Sequence, residues 1–350
     1  MKKLVVAALM VLSTSAAFAG PSESLKAILK AENYAEAQQL VNSNLAQLTD
    51  NAEKAAAYNK LVDLAFGQVD KIRNVMMENS AAQQMGKEAK PVDEEGLYTS
   101  LSEAFDAAQE CYKYDNLPNA KGKVKAKFSD ANAQRLYALR GYLINGGGFY
   151  QGKDNAKAFK LLSQYCESAD YPMFAKVKNA EDPDLTNAAF FASYMALQNK
   201  DYANAEKYSE LSLKDPEHGK DALSIKLEAM KHQLNNHEDS VAYTGKVKAL
   251  FEKDPDNQVL FATLIDSYNA LGQSDEARKL VDDRLAAAPN NFVALLVKGQ
   301  FLEREKKYEE AADFLKKALV NAPEQSKLYA TATIGDRYFF HAPERLNAIK

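Results

Sequence analysis

Apolar residues recur every three or four positions along most of the chain, which is the spacing of one face of an α-helix. In the last third, this pattern falls into segments that each end at a proline. Pro255, Pro289 and Pro323 are evenly spaced, and their interval of about 34 residues is a period typical of helical repeat arrays. Each segment contains two amphipathic stretches separated by a short polar turn. The pattern therefore predicts consecutive pairs of antiparallel helices, one pair per period.

Two of these segments share residues at matching offsets. In the segment that ends at Pro323, Gly299 has no side chain and so allows two helices to approach closely. Arg284 in the preceding segment is a clear departure, because it stands where Ala318 is matched. The repeat-signature residues are Tyr308, Ala311, Ala318 and Pro323 in the last segment and Tyr268, Gly272, Ala277 and Pro289 in the preceding one.

The period and these residues resemble the tetratricopeptide repeat, in which each repeat is one helix-turn-helix unit. The resemblance is clearest over residues 184–216, 258–289 and 292–323. It is degenerate over residues 22–183 and 224–255, where Tyr243 occupies a position that requires a small residue. The resemblance implies an all-α fold, an α-solenoid of stacked helical pairs with a concave groove. A further helix over residues 326–340 is expected to cap the array.

Longer helices are predicted upstream over residues 51–85, 95–114, 130–144 and 154–167. The stretch GGFYQGKD, which ends at Asp154, has the glycine and lysine spacing of a phosphate-binding P-loop. A P-loop follows a β-strand and has Ser or Thr after its lysine, whereas this stretch follows a helical pattern and has Asp154 there. We therefore predict a turn between two helices, with Asp154 as the N-cap of the second, and no nucleotide site.

Residues 1–19 have the organisation of a cleavable signal peptide. Two lysines precede an apolar run from Leu4 to Leu12, and Ala17-Phe18-Ala19 forms a small-residue cleavage site. The run is too short to cross a bilayer, and no later segment is apolar enough to do so. We expect an exported chain of residues 20–350 that is periplasmic, associated with the outer membrane or secreted. The alternative for the N-terminus is a core helix.

Composition and charge narrow the function classes. The chain has 15 glycines, 10 prolines and no tryptophan, which favours helix nearly everywhere. Its formal net charge of −4 argues against general nucleic-acid binding. One local exception is KGKVKAK, in which lysines occupy residues 121, 123, 125 and 127. This stretch is either a solvated loop or a surface that attracts phosphate groups.

The sequence offers little to catalysis or metal binding. Glu228 and His232 have the spacing of one helix face, but two ligands make a weak site, and His232 and His237 flank a turn. Pairs of adjacent carboxylates diverge on a helix surface. We therefore expect no enzyme, no cofactor and no metal.

The two cysteines form a candidate disulfide, because export leads to an oxidising compartment. Cys111 and Cys166 lie near the ends of equivalent helices in successive predicted repeats, and stacking would bring such helices side by side. The alternative is two separate buried thiols.

By the same resemblance, binding is expected in the groove, on polar residues of the first helix of each repeat. The candidates are Asp266, Asn269, Gln300, Glu303 and Arg304. This implies a non-catalytic scaffold or adaptor of the bacterial envelope that binds another envelope protein or a peptide segment. The alternative is a small-molecule or glycan-binding accessory component of an outer-membrane uptake system.

Overall fold

The computed structural model describes residues 21–179 and 181–324, together with residues 327 and 331. Every regular element in this part of the chain is a helix, which confirms the predicted all-α class. The predicted signal peptide lies outside the described residues, and so does the predicted capping helix over residues 326–340 apart from those two positions. No helix among the described residues combines the length and the apolar character needed to cross a bilayer.

The α-helices follow one another along the chain with short connections. Their bounds are α1 Glu23–Lys30, α2 Tyr34–Asn44, α3 Asn51–Gln84, α4 Glu94–Asp115, α5 Ser129–Tyr137, α6 Arg140–Tyr150, α7 Asn155–Ser168, α8 Leu185–Gln198, α9 Tyr202–Ser212, α10 Gly219–His232, α11 His237–Lys253, α12 Gln258–Ala270, α13 Ser274–Ala287, α14 Phe292–Arg304 and α15 Tyr308–Asn321. Two short 3-10 helices, Leu45–Gln47 and Pro172–Phe174, lie between them.

The chain divides into two compact units, one up to Lys226 and one from Leu227 onward. In the first unit α3 packs on α4, α6 on α7, α7 on α8 and α8 on α9; in the second, each of α11 to α14 packs on the helix that follows it. These helices therefore pack against their neighbours in chain order, as the predicted stacking of helical pairs requires.

The long pair α3 and α4 forms the centre of the first unit. Asp50 caps α3 by accepting a hydrogen bond from the backbone N–H of Ala52 at 3.0 Å, and Asp93 caps α4 through the N–H of Gly96 at 2.8 Å. Apolar residues of both helices, spaced by three or four positions, form one side of a single core. The Asn79 side chain fixes the connection because it bonds both the N–H and the C=O of Lys90, each at 2.7 Å.

The structure corrects two predictions in the next pair. The helix predicted over residues 130–144 is two helices, α5 and α6. They are separated at Leu139, whose N–H and C=O form hydrogen bonds to residues three positions away, Leu136 and Tyr142, instead of four. The glycines at 146–148 lie inside α6 rather than in a turn. A Cβ atom on Gly147 would lie 2.5 Å from the Leu162 side chain, so the missing side chain allows α6 and α7 to pack closely. The turn itself is centred on Gly152, whose φ is 75°.

The predicted N-cap of α7 is confirmed. The Asp154 side chain accepts a hydrogen bond from the N–H of Lys157 at 3.0 Å. The Lys153 ammonium lies over the Phe149 ring, 4.0 Å from its centroid. The segment before this turn is helix α6 and not the β-strand that a P-loop follows.

The candidate disulfide is not formed, because both cysteines are free and buried in the structure. Cys111 faces α3, where its thiol donates to the carbonyl oxygen of Ala55 at 3.4 Å. Cys166 is on α7, among the apolar residues of the same core. Burial raises the pKa of each thiol to about 12. The two residues therefore correspond to the alternative of separate buried thiols.

In the second unit the small residues of the repeat pattern lie where helices meet. A Cβ atom on Gly299 would lie 2.7 Å from the side chain of Leu315 and 3.4 Å from the carbonyl oxygen of Ala311. Arg284, the departure from the pattern, lies over the Phe261 ring and pairs with Asp256 at 2.9 Å. The buried alanines of the repeat signature in this unit are Ala277, Ala311 and Ala318. Among the other signature residues, Tyr268 and Tyr308 are half-buried, Gly272 has a φ of 70° at the end of α12, and Pro289 and Pro323 are exposed.

Candidate functional site

The second unit contains a cavity of about 650 Å³. Its walls come from the C-terminal turns of α10, the N-terminal half of α11 and the C-terminal half of α12. The lining residues are Leu227, Glu228, Lys231, His232, Leu234, Ser240, Tyr243, Thr244, Thr263, Asp266, Ser267 and Ala270. This volume is within the range of sites that hold small molecules or inserted side chains.

The cavity lies at the repeat that has lost the signature. Counting back from Ala311 by one repeat period gives Ala277, and a second period gives Tyr243. Counting back from Gly299 in the same way gives Ile265 and then Lys231. At α14 and α15 the small pair lets two helices meet closely, as the Gly299 contacts show. Tyr243 and Lys231 are both much larger, and both line the cavity. Open space therefore lies at the repeat in which Tyr243 replaces the alanine that the next two repeats have at this position.

The floor of the cavity is buried, and its charged groups are near solvent. Leu227, Tyr243 and Thr244 are buried, with exposures of 5%, 8% and 6%. Glu228 and Asp266 are exposed. This arrangement gives an apolar and hydroxyl-lined base under a charged entrance.

The charges in the cavity are mixed. The Glu228 carboxylate lies 3.9 Å from Nε2 of His232, one helical turn away, and Lys231 is exposed beside them on α10. Burial raises the pKa of the Tyr243 hydroxyl above its ordinary value, and the negative charge of Asp266 raises it further. The phenol therefore remains protonated at neutral pH and can donate a hydrogen bond.

Two hydroxyls at the base already use their protons. Ser267 donates to the carbonyl oxygen of Thr263 at 2.7 Å, and Thr244 donates to that of Ser240 at 2.8 Å. A hydroxyl that donates in this way keeps acceptor capacity on its oxygen. Together with the carboxylates at the entrance, these oxygens can accept hydrogen bonds from a ligand.

Of the five predicted groove residues, one lines this cavity and four lie outside it. Asp266 on α12 lines the cavity. Asn269 on the same helix is half-buried and is not among the lining residues. Gln300 and Glu303 are half-buried and Arg304 is exposed, all on α14 and outside this cavity.

Sequence reasoning missed Glu228, Lys231 and His232 as members of one site with Asp266. The signal was present, because His232 precedes Asp266 by one repeat period, and Asp266 precedes Gln300 by another. His232, Asp266 and Gln300 therefore occupy the same position in three successive repeats. The repeat that contains α10 lacks the small signature residues, so the sequence gives no local marker for the register there.

The described residues contain no group of three or more His, Cys, Asp or Glu side chains arranged to hold a metal ion. In the cavity, Glu228, His232 and Asp266 are not arranged as such a group. The arrangement can bind a ligand through hydrogen bonds, charge and an apolar base.

No family model matches the chain, and no curated protein matches it. Among chains of solved structures, 14 match. One of them is a crystal structure of the TPR domain of P58(IPK), which is 16% identical, with the match covering 88% of this chain and 99% of that chain at a TM-score of 0.25. With so low a TM-score, the description of the fold rests on the helices and contacts given above.

Proposed function

We propose that the chain is a non-catalytic interaction scaffold of the bacterial cell envelope, and that it binds a segment of a partner protein in the cavity of its second unit. The observation that carries this proposal is the cavity itself, walled by three successive helices and lined by His232 and Asp266 at one position of the repeat. The signal-like N-terminus supports export to the periplasm, to the outer membrane or to the medium.

The chemistry of the cavity specifies the partner segment. Glu228 and Asp266 supply carboxylates, and Thr244 and Ser267 supply hydroxyl oxygens that already donate their protons elsewhere. Such a site favours a ligand rich in donors. The preferred segment therefore presents an arginine or lysine side chain, with apolar neighbours that cover the Tyr243 base.

A small-molecule or glycan ligand is the second candidate, and the cavity volume favours it because about 650 Å³ accommodates a compact organic molecule. Tyr243 provides an aromatic face at the base, but it is 8% exposed, which limits stacking with a sugar ring.

Photo-crosslinking in cells tests the proposal. A photoreactive residue at Ala270, in the cavity, is compared with one at Ala286, an exposed position on α13 outside it. We expect one protein to be captured from position 270 and not from position 286. Peptides tiling that protein are then titrated calorimetrically, and the binding peptide is expected to lose affinity when its basic residue is changed to glutamine.

Affinity measurements with the purified protein and the binding peptide distinguish an effect of the cavity from a general effect of charge. Asp266→Lys with Glu228→Lys should weaken peptide binding at least about tenfold, because two charge-assisted hydrogen bonds are replaced by repulsion. The matched control, Asp275→Lys with Glu276→Lys on the exposed start of α13, should leave affinity unchanged. Equal capture at both positions, or equal effects of both double variants, would refute the site. Melting-temperature shifts with oligosaccharides and no protein adduct would favour the second candidate.

A further inference from the structure

The connection between α4 and α5 presents four lysines on one surface of the first unit. Lys121, Lys123, Lys125 and Lys127 are all exposed. Residues 116–129 contain these four positive charges and no acidic residue, although the whole chain has a net charge of −4. We refer to residues 116–128 as the lysine loop.

The base of the lysine loop is fixed by one buried carboxylate. Asp115 accepts hydrogen bonds from the backbone N–H groups of Lys127 at 2.8 Å, Phe128 at 2.9 Å and Ser129 at 2.9 Å. It also accepts the Ser129 hydroxyl at 2.7 Å. One carboxylate at the base of the loop is therefore buried and engaged by loop backbone.

The tip of the lysine loop is also held in shape. The N–H of Asn119 donates to the carbonyl oxygen of Lys123 at 3.0 Å, which closes a tight turn. The N–H of Ala120 donates to Asp50, the N-cap of α3, at 3.2 Å. The lysines are consequently presented on an ordered loop, so binding through them costs less conformational entropy than binding through a disordered tail.

Further cations and exposed apolar groups adjoin the loop. The ammonium groups of Lys54 and Lys113 lie 5.3 Å from the centroid of the Tyr114 ring, one from α3 and one from α4. Leu117 and Val124 within the loop are 41% and 55% exposed. None of the four loop lysines has an ion pair among the described residues. The loop therefore combines lysines that lie outside any ion pair among the described residues with exposed apolar side chains.

We propose that the lysine loop docks the first unit onto a lipid bilayer with anionic headgroups. The four lysines are spread over the turn and the segment that follows it, so they address several phosphates rather than one. Leu117 and Val124 would enter the interfacial region between headgroups, which a soluble polyanion does not offer. This proposal does not depend on the partner-binding role of the second unit.

A free phosphate is a poorer match for the same loop. The hollow beside it, of about 250 Å³, is lined by Lys125 and Lys127, but also by the Asp115 carboxylate and by apolar side chains. The carboxylate would repel a phosphate that entered the hollow. The lysines instead present their charges outward, where a surface can meet all of them.

Vesicle sedimentation tests the proposal. The protein, in the form that the cell accumulates, is mixed with vesicles that contain phosphatidylglycerol and phosphatidylcholine in a ratio of roughly one to two, and with vesicles of phosphatidylcholine alone. We expect partitioning onto the anionic vesicles that weakens as salt rises. Each lysine near an anionic leaflet contributes roughly fivefold to partitioning. Changing all four loop lysines to glutamine should therefore lower it by at least about tenfold.

A matched control removes the same charge elsewhere. Lys220, Lys253, Lys316 and Lys317 are exposed and distant in sequence, and their replacement by glutamine should leave partitioning within about twofold of the parent. Leu117→Ser with Val124→Ser should lower partitioning on anionic vesicles while leaving the salt dependence intact. Equal losses from both quadruple variants would overturn the proposal. Saturable binding of inorganic phosphate that is lost with the loop lysines, without vesicle binding, would also overturn it.

Discussion

Replacing Asp115 by asparagine should destabilise the first unit far more than the small change in shape indicates. The side chain is 5% exposed and accepts hydrogen bonds from three successive backbone N–H groups and one hydroxyl. Asparagine retains one oxygen but turns an NH₂ group toward the same donors. At least one backbone N–H then loses its acceptor, and the remaining bonds lose the assistance of the charge.

The expected loss in the free energy of unfolding follows from these hydrogen bonds. A hydrogen bond to a charged group contributes about 1.5–3 kcal/mol, a neutral one about 0.5–1.5 kcal/mol, and a buried donor left without a partner costs about 1–3 kcal/mol. One lost bond and the weakening of the others together lower the free energy of unfolding by about 2–4 kcal/mol. For a unit of this size, each kcal/mol lowers the melting temperature by roughly 2–4 °C.

Urea unfolding followed by far-ultraviolet circular dichroism measures the loss of stability. Hydrogen exchange across residues 116–132 measures its local part, because the amides of residues 127 to 129 are the donors to Asp115. The control is Asp130→Asn, which removes an exposed pair with Lys176 at 3.0 Å and should cost less than about 0.5 kcal/mol. A loss for Asp115→Asn of under about 1 kcal/mol, or unchanged exchange of those amides, would refute the reasoning.

Three further predictions concern buried groups. Arg140→Met should lower the free energy of unfolding, measured by thermal or urea denaturation, by about 3–5 kcal/mol. The reason is that the Asp182 carboxylate loses the guanidinium that lies 2.7 Å away. If the two side chains are coupled, the double variant with Asp182→Asn should lose less than the sum of the two single variants. A thiol reagent should count two free thiols, Cys111 and Cys166, in the denatured unreduced protein, and a count of zero would contradict this prediction. In the native protein the reagent should react slowly below about pH 9, because the pKa of each thiol is raised to about 12. Gly299→Leu should lower the melting temperature, because even the new Cβ atom would lie 2.7 Å from the Leu315 side chain. Such overpacking costs about 1–3 kcal/mol. An unchanged melting temperature would exclude the close contact.

Helical periodicity predicted much of the fold because it depends only on local spacing. The long helix α3 begins at the expected Asn51, and the cap of α7 lies at the expected Asp154. Both features are set by residues within one turn of the helix end, so they can be seen in the sequence. The same reasoning failed at residues 146–148, where the sequence predicts a turn and the structure has helix α6. Their role is to allow contact with α7, and the partner that requires it is remote in sequence.

The lysine loop and the cavity illustrate the same limit in functional regions. The alternation of lysines is visible in the sequence, but the anchor that orders the loop is the buried Asp115, which ends the preceding helix. Likewise the polar residues of α12 were candidates from the repeat, whereas their companions on α10 depended on extending the register through a degenerate copy. Tertiary partners, not local propensity, determine both surfaces.

Degeneracy of the repeat is itself informative about where a ligand binds. A repeat array is stabilised by small residues at the contact between its paired helices, so selection for stability alone favours glycine or alanine there. Tyr243 occupies such a position in one repeat, where the next two repeats have Ala277 and Ala311, and a cavity lies beside it. Real proteins depart from locally favourable choices chiefly at functional sites. The break in the pattern and the cavity therefore support the same location for binding, and this argument depends on neither the fold comparison nor the identity of the ligand.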